Sequence, residues 1–183
     1  MSRIPQIDRD TATEEQRRVG DLIFGSRNED YQGPSAIVLH IPELAERFEH
    51  LRSYLVREQR LPDRMLHLAA LITARLWSSQ YTWWKRVDMC RKAGIAQEVI
   101  DAVRDRRRPA FDDPGLEAVH DYVTELLETK RVTDETHARV HAILGDEQLI
   151  ELVMIVGFYS MLALVSNAFE PDFPPGVAPP LPD

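Results

Sequence analysis

An all-α fold is predicted by three observations. Apolar residues recur at three- and four-residue steps through most of the chain, the spacing that gathers them on one face of a helix. No alternating segment of strand period runs beyond a few residues. Between Leu149 and Ala168 the sequence is apolar on nearly every side, which describes a helix buried all round. In a chain of 183 residues such a helix implies a subunit interface, so the expectation is a helical bundle that oligomerises through long apolar helices.

The elements follow in order. Thr11-Ala12-Thr13-Glu14 has the pattern of a capping box and predicts a helix through about Phe24. The turn-forming stretch from Gly25 to Ser35 predicts a loop, so that residues 1–32 form an N-terminal helix and loop. A short apolar run from Ala36 to Ile41 contains His40, and Pro42 then suits a helix start, where its missing N–H costs nothing. The helix from Pro42 to about Arg57 carries Leu44, Phe48, Leu51 and Leu55 at helical spacing. Leu61-Pro62-Asp63 opens another, which packs Leu66, Ala69, Ala70, Thr73 and Ala74 inward and runs to Trp77. After a polar break at Ser78-Ser79-Gln80 the next helix continues to Lys92-Ala93-Gly94, with Gly94 a natural C-terminal cap. A short helix over Ile95 to Asp105 precedes a loop from Arg108 to Pro114. Leu116, Val119, Val123, Leu126 and Leu127 form a further stripe, and another helix starts after Thr133. The tail from Pro171 to Asp183 is too rich in proline for a helix. It is expected to be disordered or to lie as an extended arm on a neighbouring subunit. Residues 1–183 read as one domain.

Composition narrows the function. With 44% hydrophobic and 28% charged residues the chain reads as an ordinary globular protein. A net charge of -8 argues against a nucleic-acid partner, since phosphate neutralisation needs a basic surface. The basic run Arg104 to Arg108 is read as a solvated helix end. No leader-like apolar region follows the N-terminus, and no run of about 20 uninterrupted apolar residues suggests a membrane span. A single cysteine, Cys90, excludes an internal disulfide framework and a CxxC pair. The expected setting is cytoplasmic.

Chemistry is expected in the hairpin from Leu61 to Lys92. If its second helix begins near Ser79, then Ser79, Thr82 and Arg86 share a face. A guanidinium beside two hydroxyls and an indole suits a small carboxylated or oxygenated molecule. The same pattern describes an amphipathic helix with a solvated arginine. His67 interrupts an apolar face, either as a hydrogen-bonded core residue or as the proton-transfer group of the hairpin. His40 has the same two readings. His137 and His141 stand at zinc-binding spacing without an evident third ligand. Cys90 reads as a small buried hydrophobe, and Tyr159 as a packing residue or a pocket hydroxyl.

The segments GPSAIVLHIPELAERFEHLRSYL, LPDRMLHLAALITARLWSSQYTWWKRV, RRPAFDDP and ELVMIVGFYSMLALVSNAFE, in that order, resemble the carboxymuconolactone decarboxylase and alkylhydroperoxidase D-like (AhpD-like) superfamily. The resemblance implies a helical subunit in trimers or hexamers, with a pocket near subunit interfaces. The peroxidase branch carries a glutamate and a CxxCxxxH motif; laid on this chain these fall on His67, Ser79, Thr82 and Arg86, all replaced. Hydroxyls at their ordinary pKa cannot do the work of a reactive thiolate, which argues against the peroxidase reaction at these positions. The decarboxylase-like YEWxxH pattern keeps Tyr81 and Trp83 but not the residues at Thr82 and Arg86.

The expectation is a cofactor-free, metal-free lyase-type enzyme acting on a carboxylated or oxygenated ring compound. Arg86, His67 and Tyr81 would be catalytic, and Ser79, Thr82, Trp83, Trp84, Lys85 and His40 would bind substrate. The alternatives are a non-catalytic oligomeric binding protein of the same fold and, more remotely, a thiol peroxidase working through Cys90 alone.

Overall fold

The computed structural model describes residues 2–25 and 31–182. Among the described residues eight α-helices run in the order α1 (Glu14–Phe24), α2 (Gly33–Val38), α3 (Pro42–Ser53), α4 (Asp63–Leu76), α5 (Gln80–Lys92), α6 (Gln97–Arg104), α7 (Pro114–Thr129) and α8 (Asp134–Phe169). A π-helical turn over Tyr54–Glu58 extends α3. No strand occurs among the described residues, and the all-α prediction holds.

The helix buried on every side is α4. All residues from Leu66 to Arg75 are buried in it, because α4 packs against α5, α6, α7 and α8 at once. Ala69, Ala70 and Ala74, each fully buried, let those neighbours approach its backbone. Each fully buried leucine of this helix, such as Leu68 and Leu71, contributes roughly 2–3 kcal/mol of transfer free energy. A second, smaller core gathers Ile7, Val19, Ile23, Phe24 and Leu39 around α1 to α3.

For α8 the expectation of all-round burial is corrected. Leu152, Ile155, Val156, Phe158, Tyr159, Leu162 and Ala163 are buried, whereas Ile150, Val153, Met154, Met161 and Leu164 face outward. One flank meets α2, α4, α5 and α7, and these residues of the other stay exposed among the described residues. By length and composition α8 is apolar enough to cross a membrane, but half of that stretch is buried inside the chain. A kink at Gly145, at φ 66° and ψ -177°, divides α8 into two helical parts, in keeping with the two helices read from sequence.

Three further expectations change. The predicted loop from Gly25 to Ser35 ends earlier, because α2 starts at Gly33; residues 26–30 of that loop lie outside the described residues. Gly33 has φ 69°, and a Cβ there would lie 2.4 Å from the ring of Tyr81, so glycine serves both the turn and the close approach. Leu44 is exposed rather than inward on α3. The polar residue on that buried face is Glu49, held by both arms of the Arg52 guanidinium.

The proline-rich tail lies on its own chain. Phe173 packs on Tyr81 and Trp84 at centroid distances of 5.5 and 5.8 Å. The Gln80 amide donates to the Leu181 carbonyl at 3.1 Å and accepts from the Leu181 N–H at 2.8 Å. Proline has no N–H to offer, so Leu181, which is itself buried, supplies the anchoring backbone groups.

Candidate functional site

A cavity of about 490 Å³ opens between α2, the end of α3 with its π-helical turn, α5 and α8. Tyr81, Thr82, Lys85 and Arg86 line it from α5, at the successive-turn spacing that puts them on one side of that helix. Phe158, Tyr159 and Leu162 supply the α8 wall, and Arg52 and Val56 the wall from α3 and the π turn. Its volume is that of sites that enclose small organic molecules.

Arg86 sets the electrostatics. Its Nη1 donates to the Tyr159 hydroxyl at 2.9 Å, and its Cζ lies 5.2 Å from the centroid of that ring. The side chain is half-buried and has no carboxylate partner among the described residues. Arg52 also lines the cavity, but its charge is met by the buried Glu49 behind it. Arg57, Lys85 and Lys92 add positive charge at the cavity, against Asp88 as the one acid among its described lining residues. A half-buried guanidinium without a carboxylate partner favours an anion.

The hairpin residues divide between this cavity and its support. Ser79 is fully buried and its hydroxyl donates to the Thr82 hydroxyl at 3.0 Å. At the two positions that the resemblance gives to cysteines there is therefore a hydrogen-bonded hydroxyl pair, which is redox-inert. Trp83 is 2% exposed and belongs to the main core. Trp83 and Trp84 border a different cavity of about 380 Å³ on the other flank of α5. Trp84 packs edge-on against Tyr81 and carries the Lys85 ammonium 4.8 Å from its ring centroid. His40 does not line the Arg86 cavity; it is exposed, and its Nε2 meets the Pro5 carbonyl at 2.9 Å, tying the N-terminal segment to the end of α2.

His67 is buried on α4, and its Nδ1 has no hydrogen-bond partner. Burial first, and the charge of Arg86 second, lower its pKa to about 4, with Asp63 opposing. At neutral pH the imidazole is uncharged and holds no spare proton for a general acid, and it does not border the cavity. Cys90 donates to the His67 carbonyl at 3.3 Å; burial pushes its thiol up to about 12, with Arg86 pulling weakly the other way. A thiol so protonated is a poor nucleophile, which weighs against a Cys90 peroxidase.

His137 and His141 stack at 5.9 Å on the exposed start of α8, and His141 meets Asp146 at 2.7 Å. Among the described residues no three histidine, cysteine or acidic side chains gather as a metal site would require. Sequence reasoning missed Arg52 and Val56, whose approach depends on how the π turn folds over α5. It left Tyr159 undecided, since a phenol in an apolar helix has the same pattern whether it packs or points at a ligand.

No protein-family model and no curated protein sequence matches the chain. Solved structures do. The helical arrangement is that of the AhpD-like fold. The chain superimposes on an uncharacterized peroxidase-related protein with an alkylhydroperoxidase AhpD core from Ralstonia eutropha JMP134 (TM-score 0.76, 14% identity, covering 92% of this chain and 90% of that one). It matches an uncharacterized peroxidase-related protein from Silicibacter sp. TM1040 similarly (TM-score 0.75, 12% identity, covering 93% and 90%). A third likeness is to a cysteine-to-alanine variant of the debrominase Bmp8 in complex with 2,3,4-tribromopyrrole (TM-score 0.77, 13% identity, covering 96% and 95%).

Proposed function

We propose that this chain binds a small organic anion built on an apolar ring and acts on it by cofactor-independent, lyase-type proton-transfer chemistry. The observation that carries this reading is the half-buried Arg86 guanidinium, without a carboxylate partner among the described residues, bonded to the Tyr159 hydroxyl in a cavity whose α8 wall, with Phe158 and Leu162, is apolar. That one solved structure of the same fold is a debrominase with a bromopyrrole supports a small ring as ligand. The cytoplasm fits a chain with one buried thiol, and a homo-oligomer packed through α8 is the assembly we infer.

The roles follow from where charge must be held. Salt-bridging a carboxylate that is to leave as CO2 would stabilise the ground state and slow the reaction. Arg86 therefore holds the ring oxygen on which negative charge develops, and the reacting carboxylate lies against Phe158 and Leu162, where desolvation favours loss of its charge. The carbon–carbon bond breaks, CO2 departs, and the electron pair stays on the ring as an enolate. Because the Tyr159 oxygen accepts from Arg86, its own O–H is free to donate, and it supplies the proton to the ring carbon. Water returns a proton to the phenolate. Tyr81 and Thr82 orient the substrate.

A second reading, a binding protein without turnover, is favoured by the position of His67: the hairpin's one imidazole is neutral and does not border the cavity. Incubation with carboxylated lactones and hydroxybenzoates, followed by ultraviolet spectra and CO2 release, separates the two. Enzymatic action predicts a spectral change with one CO2 per molecule consumed, lost in Tyr159→Phe. Binding without spectral change establishes the second reading, and the absence of both binding and turnover contradicts each.

A further inference from the structure

A second cavity of about 550 Å³ lies apart from the Arg86 site, between the C-terminal end of α4, the α6–α7 connection, α7 and the start of α8. Its floor is apolar, formed by Ile72, Leu76 and Val103, and five arginines line it. Three of these have their charge met. Arg108 is bonded to Glu117 and Asp121, Arg139 to Asp121, and Arg107 to Asp105.

Arg75 and Arg106 are different. Neither has a carboxylate partner among the described residues, and both donate to one hydroxyl: Arg75 Nη1 lies 3.4 Å and Arg106 Nη2 3.1 Å from Ser78 Oγ. Arg75 is only 8% exposed, and its Nε is used on the Arg104 carbonyl. Burial first and the charge of Arg106 second lower its pKa, with Asp105 opposing. The backbone bears a cost too. Ser78 and Arg106 stand at φ 48° and 55°, where side chains with a Cβ are disfavoured. A guanidinium from the last turn of α4 and one from a positive-φ turn are thus brought together around a shared neutral acceptor, while of the cavity's three acids Glu128 is exposed and bonded to neither arginine and the other two are committed elsewhere. Asp121 faces Arg108, Arg139 and His120, and Glu125 accepts from the Thr133 N–H.

We propose that this cavity is a second ligand site, in which Arg75 and Arg106 grip the oxyanion of a small phosphorylated or carboxylated molecule whose apolar part rests on Ile72, Leu76 and Val103. The site is independent of the Arg86 cavity and of the reaction proposed there. Paired guanidinium forks suit phosphate and carboxylate alike. The ligand's negative charge would relieve the repulsion between the two arginines.

Calorimetric titration with inorganic phosphate and, separately, with succinate tests this on three proteins: the wild type, Arg106→Gln and Arg86→Gln. Arg106 is exposed, so its substitution leaves the core intact; Arg75→Gln is a supporting variant once its circular dichroism matches the wild type. We expect saturable binding of one or both anions, retained in Arg86→Gln and weakened about tenfold in Arg106→Gln, the loss of one charge-assisted hydrogen bond. Absence of saturable binding for both anions, an unchanged affinity in Arg106→Gln, or loss of all binding in Arg86→Gln would overturn it.

Discussion

Side chains in the hairpin separate by what surrounds them more than by their chemistry. His67 and Arg86 belong to consecutive helices, yet one is sealed into α4 with an unpartnered Nδ1 and the other faces a cavity. The pH response of His67 follows from that burial. Its unfolded imidazole gains a proton near the ordinary value of 6.5, whereas the folded one does so only near 4. Between those values the unfolded state binds more protons, so stability is fully present above about pH 6.5 and falls as the pH drops towards 4. Below that it no longer changes on account of this group. The loss is on the order of 3 kcal/mol. An NMR titration of the His67 ring should give a midpoint near 4, and a midpoint near 6.5 would show the ring to be solvated. Whether such a residue is core or catalyst cannot be read from its letter. An imidazole among apolar residues fits either, and only the packing of α4 against four other helices decides.

Among the elements, α8 combines a buried flank with an unmatched outer one. Ile150, Met154, Gly157, Met161 and Leu164 follow one another at alternating four- and three-residue steps, the seam along which two helices interlock. Of these Ile150 is 63% exposed, and space around Gly157 is open, so a partner could approach closely there. The proposed homo-oligomer uses this seam. Sedimentation should find the wild type as a trimer or hexamer and the double variant Met154→Glu, Met161→Glu dissociated with its helix content kept. A wild-type monomer at micromolar concentration would refute the assembly. Periodicity in the sequence revealed α8 and the two helices of the hairpin, because their apolar patterns are long. It missed α2, a six-residue helix too short to develop a period, and it misjudged the tail, whose docking depends on Gln80 and Phe173 finding partners far away in the chain.

For the molecule as a whole, the fold was legible because many weak signals agree: caps, periodicity, punctuation by glycine and proline, and the order of segments that resembles the AhpD-like superfamily. The candidate site was legible only along α5. Tyr81, Thr82, Lys85 and Arg86 were identified from one helix and line one cavity, whereas the opposite walls come from α2, the π turn and α8, whose meeting is a tertiary event. Ser79, Trp83 and Trp84 were drawn in by proximity in sequence and His40 as a second imidazole beside an apolar run, and none of the four lines that cavity. The hydroxyl pair at Ser79 and Thr82 is the feature that most separates this chain's chemistry from thiol redox work. The central claim is that Arg86 makes the cavity an anion site, and it is tested most directly by calorimetric titration of a hydroxybenzoate into the wild type and Arg86→Gln. The account predicts affinity weaker by roughly 10- to 100-fold in the variant, the range for losing a charge-assisted hydrogen bond to the ligand's ring oxygen. Equal affinity in the two proteins would contradict it.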